Sequence, residues 1–518
     1  MKRHIFSLLF LLTLSTAQSK AQEQKAQNPI IFADVPDMSM LRDGDTYYMS
    51  STTMHMNPGV PIMKSKDLVN WELVSYAYDT LEPLETLDLE NGKNTYGKGT
   101  WASCLRKYGD TFYLTTFAQT TGKTYIFTTK NIEKEPWKRI EFKPSLHDHT
   151  FIIDNGKPYL IYGGGDLRIV QLKDDLSGAI PETEKILIKD AHSPASDKIM
   201  LPAEGSQMFK INGKYYIFNI CWPRGGMRTV VVHRSDSLMG PYEGKMVLQD
   251  KGVAQGGIIS TPDNKWFAYL FQDHGAVGRI PYLVPVEWKD GWPVLGIDGK
   301  VPMELDLPAS KGLIPGIVNS DDFSRKKGEN TLPLVWQWNH NPDNSLWSLS
   351  ARKGYLRLTT GRVDKVITQA RNILTQRTIG PSCSGETAID VQNMKEGDFA
   401  GLTLLQKNYG FVGVKVTQEG KFIVMHNAST GNPVEEVCIP LNNKKVYLKA
   451  SCDFNDRKDE ALFYYSLDGK KWNKVGTVLK MAYTMPHFMG YRFGLFNFAT
   501  TTAGGYVDFD YFKISDKN

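Results

Sequence analysis

Cysteine is scarce in this 518-residue chain, at five residues. Cys104, Cys221, Cys383, Cys438 and Cys452 are widely spaced and odd in number, so they build no disulfide framework. No two have the spacing of zinc ligands. They read as small buried apolar residues, with a disulfide between two of the last three left open. An excess of one charge is lacking too. The formal net charge is +5, and setting aside Lys2, Arg3 and Lys20 leaves +2. That excludes an electrostatic grip on nucleic acid or on an anionic membrane. Beyond Leu14 there is no long apolar run, which excludes a membrane-spanning helix. The one such run, Ile5 to Leu14, follows a basic start and precedes small residues. It reads as a secretory leader over residues 1–21, cleaved near Ala17 or Ala21. No cysteine lies there to carry a lipid anchor. The expectation is a soluble protein, secreted or periplasmic.

What is present suits a packed globular protein: 41% apolar and 11% aromatic residues. The length predicts two domains or more. One pattern recurs: "LRDGDTYYMSS", "LRKYGDTFYLTTF", "FIIDNGKPYLIYG", "MFKINGKYYIFNI" and "ISTPDNKWFAYLF". Each is an apolar strand, a tight turn and an aromatic-rich strand, the signature of a hairpin. The turns fall at Gly44, Gly109, Gly156, Gly213 and Asn264, separated by 65, 47, 57 and 51 residues. A second element follows four of the hairpins: "SKDLVNW", "TKNIEKEPW", "LKDDLSG" and "RSDSLMGPY". Periodic all-β units of this length predict a five-bladed β-propeller over residues 28–308. A β-sandwich with chance internal similarity is the alternative. The segment "ASKGLIPGIVNSDDF" reads as a linker. The alternating strands after it predict a β-sandwich, a concanavalin-like jelly roll, over 320–518.

Innermost propeller strands start around one central opening, so acids just ahead of each hairpin can meet there. Asp37 lies 7 residues before Gly44, Asp148 lies 8 before Gly156, and Glu204 lies 9 before Gly213. Matched offsets place three carboxylates at one pore mouth. Such acids repel one another, and glycoside hydrolysis uses that arrangement. An inverting enzyme needs a carboxylate to activate water and a carboxylic acid to protonate the leaving oxygen, roughly 6.5–9.5 Å apart. A third carboxylate can hold the acid's pKa up. Any one of the three alone would read as a turn cap. Asp34 either contacts sugar or caps the turn at Pro36. Trp101 and Trp222 sit near strand ends at the site, where aromatic faces stack on sugar rings. Trp71 and Trp137, on the outer-strand repeat, read as structural.

The motifs "PIIFADVPDMSMLRDGDTYYM", "HDHTFIIDNGKPYLIYG" and "PAEGSQMFKINGKYYIF" together resemble glycoside hydrolase family 43. The resemblance spans about residues 28–300, and the C-terminal part resembles the sandwich of the family's xylosidase-like members. It implies Asp37 as general base, Asp148 as pKa modulator and Glu204 as general acid. "GTWASCLRKYGDTFYL" implies Trp101 beside the sugar, and "FQDHGAVGRIPYLVPVEWKDGWPVLG" implies Arg279 as a substrate contact. It implies a plant polysaccharide or oligosaccharide substrate (xylan, arabinoxylan or arabinan), losing xylose or arabinofuranose units. The rival from another class is a propeller that binds carbohydrate without catalysis. There are departures. His149 stands where the family often has proline. Gln255 falls near a position where some members carry a histidine, often beside a bound calcium. His147 and His274 are the nearest imidazoles. No cofactor is expected to be required. A structural calcium could be held in the sandwich by Asp322 and Asp508, with Asp321 and Asp510 close in sequence to them.

Overall fold

A computed structural model describes residues 24–134 and 136–517. The proposed leader lies outside the described residues. The first domain is five antiparallel four-stranded sheets arranged as blades. Blade 1 is Ser39–Asp43, Thr46–Ser50, Gly59–Ser65 and Glu72–Tyr78. Blades 2 to 5 begin with Cys104–Tyr108, Thr150–Asp154, Ile199–Ile211 and Ala254–Ser260. All five expected turn residues have positive φ. Two turns are Asn155-Gly156 and Asn212-Gly213, with both central residues left-handed. That is the two-residue turn whose twist matches paired strands, and Asn-Gly adopts it most readily.

Apolar side chains fill the seams between blades. Leu41, Tyr48 and Ile62 of blade 1 pack on Leu105, Phe112 and Leu114 of blade 2. Ile152, Ile161 and Ile169 of blade 3 pack on Met208 and Ile217 of blade 4. Trp71 is buried and Trp137 packs against the seam of blades 1 and 2, so both are structural. Outside the blades, Lys25–Gln27 pairs with Glu304–Pro308, joining the two ends of the propeller.

The pore is plugged below its mouth. Arg106 donates to Ser39 Oγ, Thr150 Oγ1, Gln207 Oε1 and the Met208 carbonyl, at 2.9–3.2 Å. Side chains from blades 1 to 4 are thereby tied together, and the mouth is a pocket, not a channel.

The second domain is a sandwich of an eight-stranded and a seven-stranded sheet. The last strand of the eight is Met56–Asn57, which comes from blade 1 and pairs with Gln337–Asn339. The two domains therefore share a sheet. The ends of the sandwich meet, since Asp321 and Phe512 exchange main-chain hydrogen bonds. The aspartates near these ends have separate partners. Asp508 is paired with Arg357 and Arg352, Asp321 with Arg325, and Asp510 with Lys445. Asp322 accepts the Ser324 amide. Three of these four aspartates thus have basic side chains as partners. All five cysteines are free, four of them buried and Cys438 exposed.

Candidate active site

The three acids reach the pore mouth by one local device. Asp37 and Asp148 precede the innermost strands of blades 1 and 3, with φ of 53° and 47°. On blade 5 the equivalent Gln255 has φ of 58°. On blade 4 the innermost strand is irregular on both sides of Glu204, and Gly205 takes the left-handed turn. Such backbone costs about 1–3 kcal/mol per non-glycine residue and collects at functional sites. Here it points each side chain into the pocket.

The pocket has a volume of about 120 Å³. That is small beside typical ligand sites of roughly 300–1,000 Å³. Asp37, Asp148, Glu204, Trp101 and Arg279 all line it, so the structure brings these expected residues together. Asp37 is the most tightly held. Arg279 Nη1 donates to both its oxygens, at 3.0 and 3.2 Å, and Gln255 Nε2 donates to Oδ1 at 2.8 Å. Burial raises its carboxyl above the usual range; the Arg279 charge opposes this, and Asp34 and Glu204 add to it. The side chains of Asp37 and Asp148 are 6% and 7% exposed, whereas that of Glu204 is 24%. Glu204 is thus the carboxyl nearest solvent, where a leaving group would depart.

Burial lifts the Asp148 carboxyl to about 7; His147 opposes this, and the charges of Glu204 and Asp37 reinforce it. Burial lowers His147, but its hydrogen bond to Glu204 and the Asp148 and Glu204 charges outweigh that and lift it to about 9. His147 Nε2 lies 3.2 Å from Glu204 and Nδ1 lies 3.9 Å from Asp148. The ligand atoms of these three residues fall within 4.8 Å of one another, and the imidazolium supplies a cation at that point. The sign of the His147 effect is testable. A positive neighbour favours the ionised carboxylate, so His147→Gln lets Asp148 keep its proton to higher pH. The acid limb of the kcat/KM profile should move up by about one pH unit. A limb that stays in place would mean His147 carries no charge there.

Two expected contacts lie outside the pocket. Asp34 is buried behind it, its oxygens accepting the amides of Arg279 at 2.8 Å and Gly490 at 3.1 Å. It holds the main chain that carries Arg279, and does not face a sugar. A Cβ on Gly278 would come within 2.2 Å of Asp34 Oδ1, so glycine is required beside it. Trp222 donates Nε1 to the Gly226 carbonyl at 3.0 Å and lies under the Arg228 guanidinium. It braces the loop that presents Arg228, which does line the pocket and pairs with Asp273 at 2.6 Å. His274 is bonded to Gln272 and also lies outside the pocket lining.

Sequence reasoning missed Arg228. Family 43 sandwiches can send a loop to the rim of the site, and here Met485 and Phe488 of the sandwich complete the pocket wall. The Phe488 ring lies 5.8 Å from Trp101 and 4.2 Å from the Arg279 guanidinium. Losing this aromatic wall should weaken binding more than chemistry. Phe488→Ala is expected to raise KM about tenfold with kcat changed far less, measured by initial rates on an aryl glycoside. A collapse of kcat with KM unchanged would instead place Phe488 at the reacting bond.

Residues 26–293 match Glycosyl hydrolases family 43, and residues 320–515 match the Beta xylosidase C-terminal Concanavalin A-like domain. A beta-xylosidase of Formosa agariphila is 30% identical, with 94% of this chain and 89% of that one aligned. A non-reducing end alpha-L-arabinofuranosidase of Bacteroides ovatus is 25% identical over 81% of this chain and 80% of its own. Among solved structures, a bifunctional GH43-CE chain of Bacteroides eggerthii is 67% identical with a TM-score of 0.95. The match covers 96% of the present chain, which spans 64% of that one's length. The chain belongs to glycosyl hydrolases family 43, in the two-domain form that pairs a five-bladed propeller with a concanavalin A-like sandwich.

Proposed function

We propose that this chain removes single xylose or arabinofuranose units from the ends of plant polysaccharides or their oligosaccharides, with inversion at the anomeric carbon. The observation that carries this reading is the division of labour among the acids. Asp37 is pinned by Arg279 and Gln255 deep in a small pocket, and Glu204 stands at its more exposed side. A small pocket, blocked beneath by Arg106, favours action at chain ends. Relatives bearing both xylosidase and arabinofuranosidase names support the sugar class.

In the reaction, Asp37 takes a proton from water as that water attacks the anomeric carbon. Glu204 gives its proton to the departing glycosidic oxygen. Asp148 stands beside Glu204 and His147, the ligand atoms of all three within 4.8 Å of one another, as the third carboxyl of the site. Acid–base chemistry of this kind needs no cofactor, so exhaustive chelation should leave the rate unchanged. Among the described residues no helix is long and apolar enough to cross a membrane. Export rests on the leader pattern of residues 1–21, and N-terminal sequencing of the protein from cell fractions tests it. The function itself is tested with aryl β-xyloside and aryl α-arabinofuranoside side by side, following the first-formed anomer by rapid NMR. Hydrolysis of neither, or retention of configuration, would overturn the proposal.

A further inference from the structure

Arg377 and Arg492 stand directly opposite each other on adjacent strands of the eight-stranded sheet. They are 1% and 2% exposed. Like charges facing across strands destabilise a sheet, and buried charges are normally paired. Here the pairing is incomplete. Arg377 Nε donates to the Asp34 carbonyl at 2.9 Å, but its Nη2 meets no acceptor among the described residues. Arg492 is more exceptional, since its Nε, Nη1 and Nη2 all lack one. Nε2 of His487 is buried and unpartnered as well, and the buried ring of His55 lies beside it. Their rings lie 5.3 Å apart, and both feel the Arg492 charge.

The charges do not balance. Arg279 is matched by Asp37. The carboxylate that acts on both Arg377 and Arg492 is Asp34, and its two oxygens already accept main-chain amides. Two buried cations thus share one buried anion. Burial, then the opposing Arg377, disfavours the Arg492 cation, yet a guanidinium does not give up its proton in a protein. Water could meet the free N–H groups but would leave the surplus charge.

We propose that Arg377 and Arg492, flanked by His55 and His487, form a buried binding site for one monovalent inorganic anion of the size of chloride. Such an ion accepts from several donors at once and cancels the surplus charge. Full burial of both guanidinium groups excludes a larger organic ligand. The site joins the domains, because Arg492 and Arg377 belong to the sandwich while His55 and Asp34 belong to the propeller. Through Asp34 it lies behind the main chain that carries Arg279.

Bromide is the probe. Crystals grown with bromide in place of chloride should show an anomalous peak within hydrogen-bonding reach of the Arg492 guanidinium. Protein dialysed free of halide should melt about 3 °C higher in about 200 mM chloride or bromide than in methanesulfonate of equal ionic strength. Arg492→Met should abolish that halide-specific difference, and Arg377→Met serves if the first variant does not fold. Equal midpoints in halide and methanesulfonate, or ordered water at the site in bromide crystals, would overturn the proposal.

Discussion

Asp37→Asn is expected to lose about 10³-fold or more in kcat on every substrate the protein accepts. General-base assistance is worth roughly 10²–10⁴-fold, and an amide cannot take up the water's proton. The substitution keeps shape, so Gln255 and Arg279 can still donate to the remaining carbonyl oxygen, and KM should change little. One complication is predictable. Arg279 is 4% exposed and Asp37 is its closest anion, at 3.0 Å, with Asp273 at 3.5 Å. Removing a partner from a buried ion pair costs about 3–5 kcal/mol, so the variant should also melt earlier. Rates must therefore be measured well below its unfolding midpoint, with circular dichroism confirming the fold. Near-normal turnover in a folded Asp37→Asn would falsify its assignment as base. The good or poor quality of the leaving group should matter little, because the base acts on water and not on the aglycone.

How much of this site could be read from the chain alone follows from the distances over which the contacts act. The five hairpins were legible because each is local: a left-handed turn between two strands leaves Gly or Asn at a fixed offset from apolar alternation. Once the repeat supplied an index, Asp37, Asp148 and Glu204 could be compared position by position. They share the pocket because equivalent strands carry them. Asp34 differs in kind. Its partners, Arg279 and Gly490, lie 245 and 456 residues away, and no local pattern marks a carboxylate that will accept two main-chain amides. Trp222 sits at a strand end as expected, but its indole turns back to Gly226 and leaves the pocket to Arg228. The contribution of Phe488 depends on how two domains dock, and the short strand Met56–Asn57 that helps dock them carries only two residues of pattern. The aspartates of the sandwich suggest an oxygen cluster because they are acidic and near the ends of the domain. The arginines that pair with them come from strands in between, such as Leu356–Thr359 with Arg357, and spacing in the chain does not reveal those partners.

Electrostatically the pocket separates its acids by environment more than by identity. Asp37 is stabilised as an anion by a guanidinium and an amide. Asp148 lies 3.9 Å from the His147 imidazole, and burial holds its carboxyl up. Glu204 shares a hydrogen bond with His147 and has the freest access to solvent. A substrate aglycone entering at that side would compete with His147 for the Glu204 carboxyl. Binding would thereby move Glu204 from an imidazolium partner towards a glycosidic oxygen.

The second large effect follows from that position. Glu204→Ala should lower kcat by roughly 10³-fold on natural oligosaccharides and on alkyl glycosides, whose departing alkoxide needs a proton. On a dinitrophenyl glycoside the loss should be tenfold or less, because that phenolate leaves without help. The variant keeps Asp37, Arg279 and the aromatic wall, so KM for the activated substrate should stay near the wild-type value. It also removes the proposed proton donor itself, so the alkaline limb of the remaining activity should flatten. A series of aryl glycosides of rising leaving-group pKa measures this directly. The slope of log kcat against that pKa should be steep for the variant and shallow for the wild type. Parallel slopes would mean that Glu204 does not protonate the leaving oxygen, and the acid would then have to be sought in Asp148, the other carboxyl against His147.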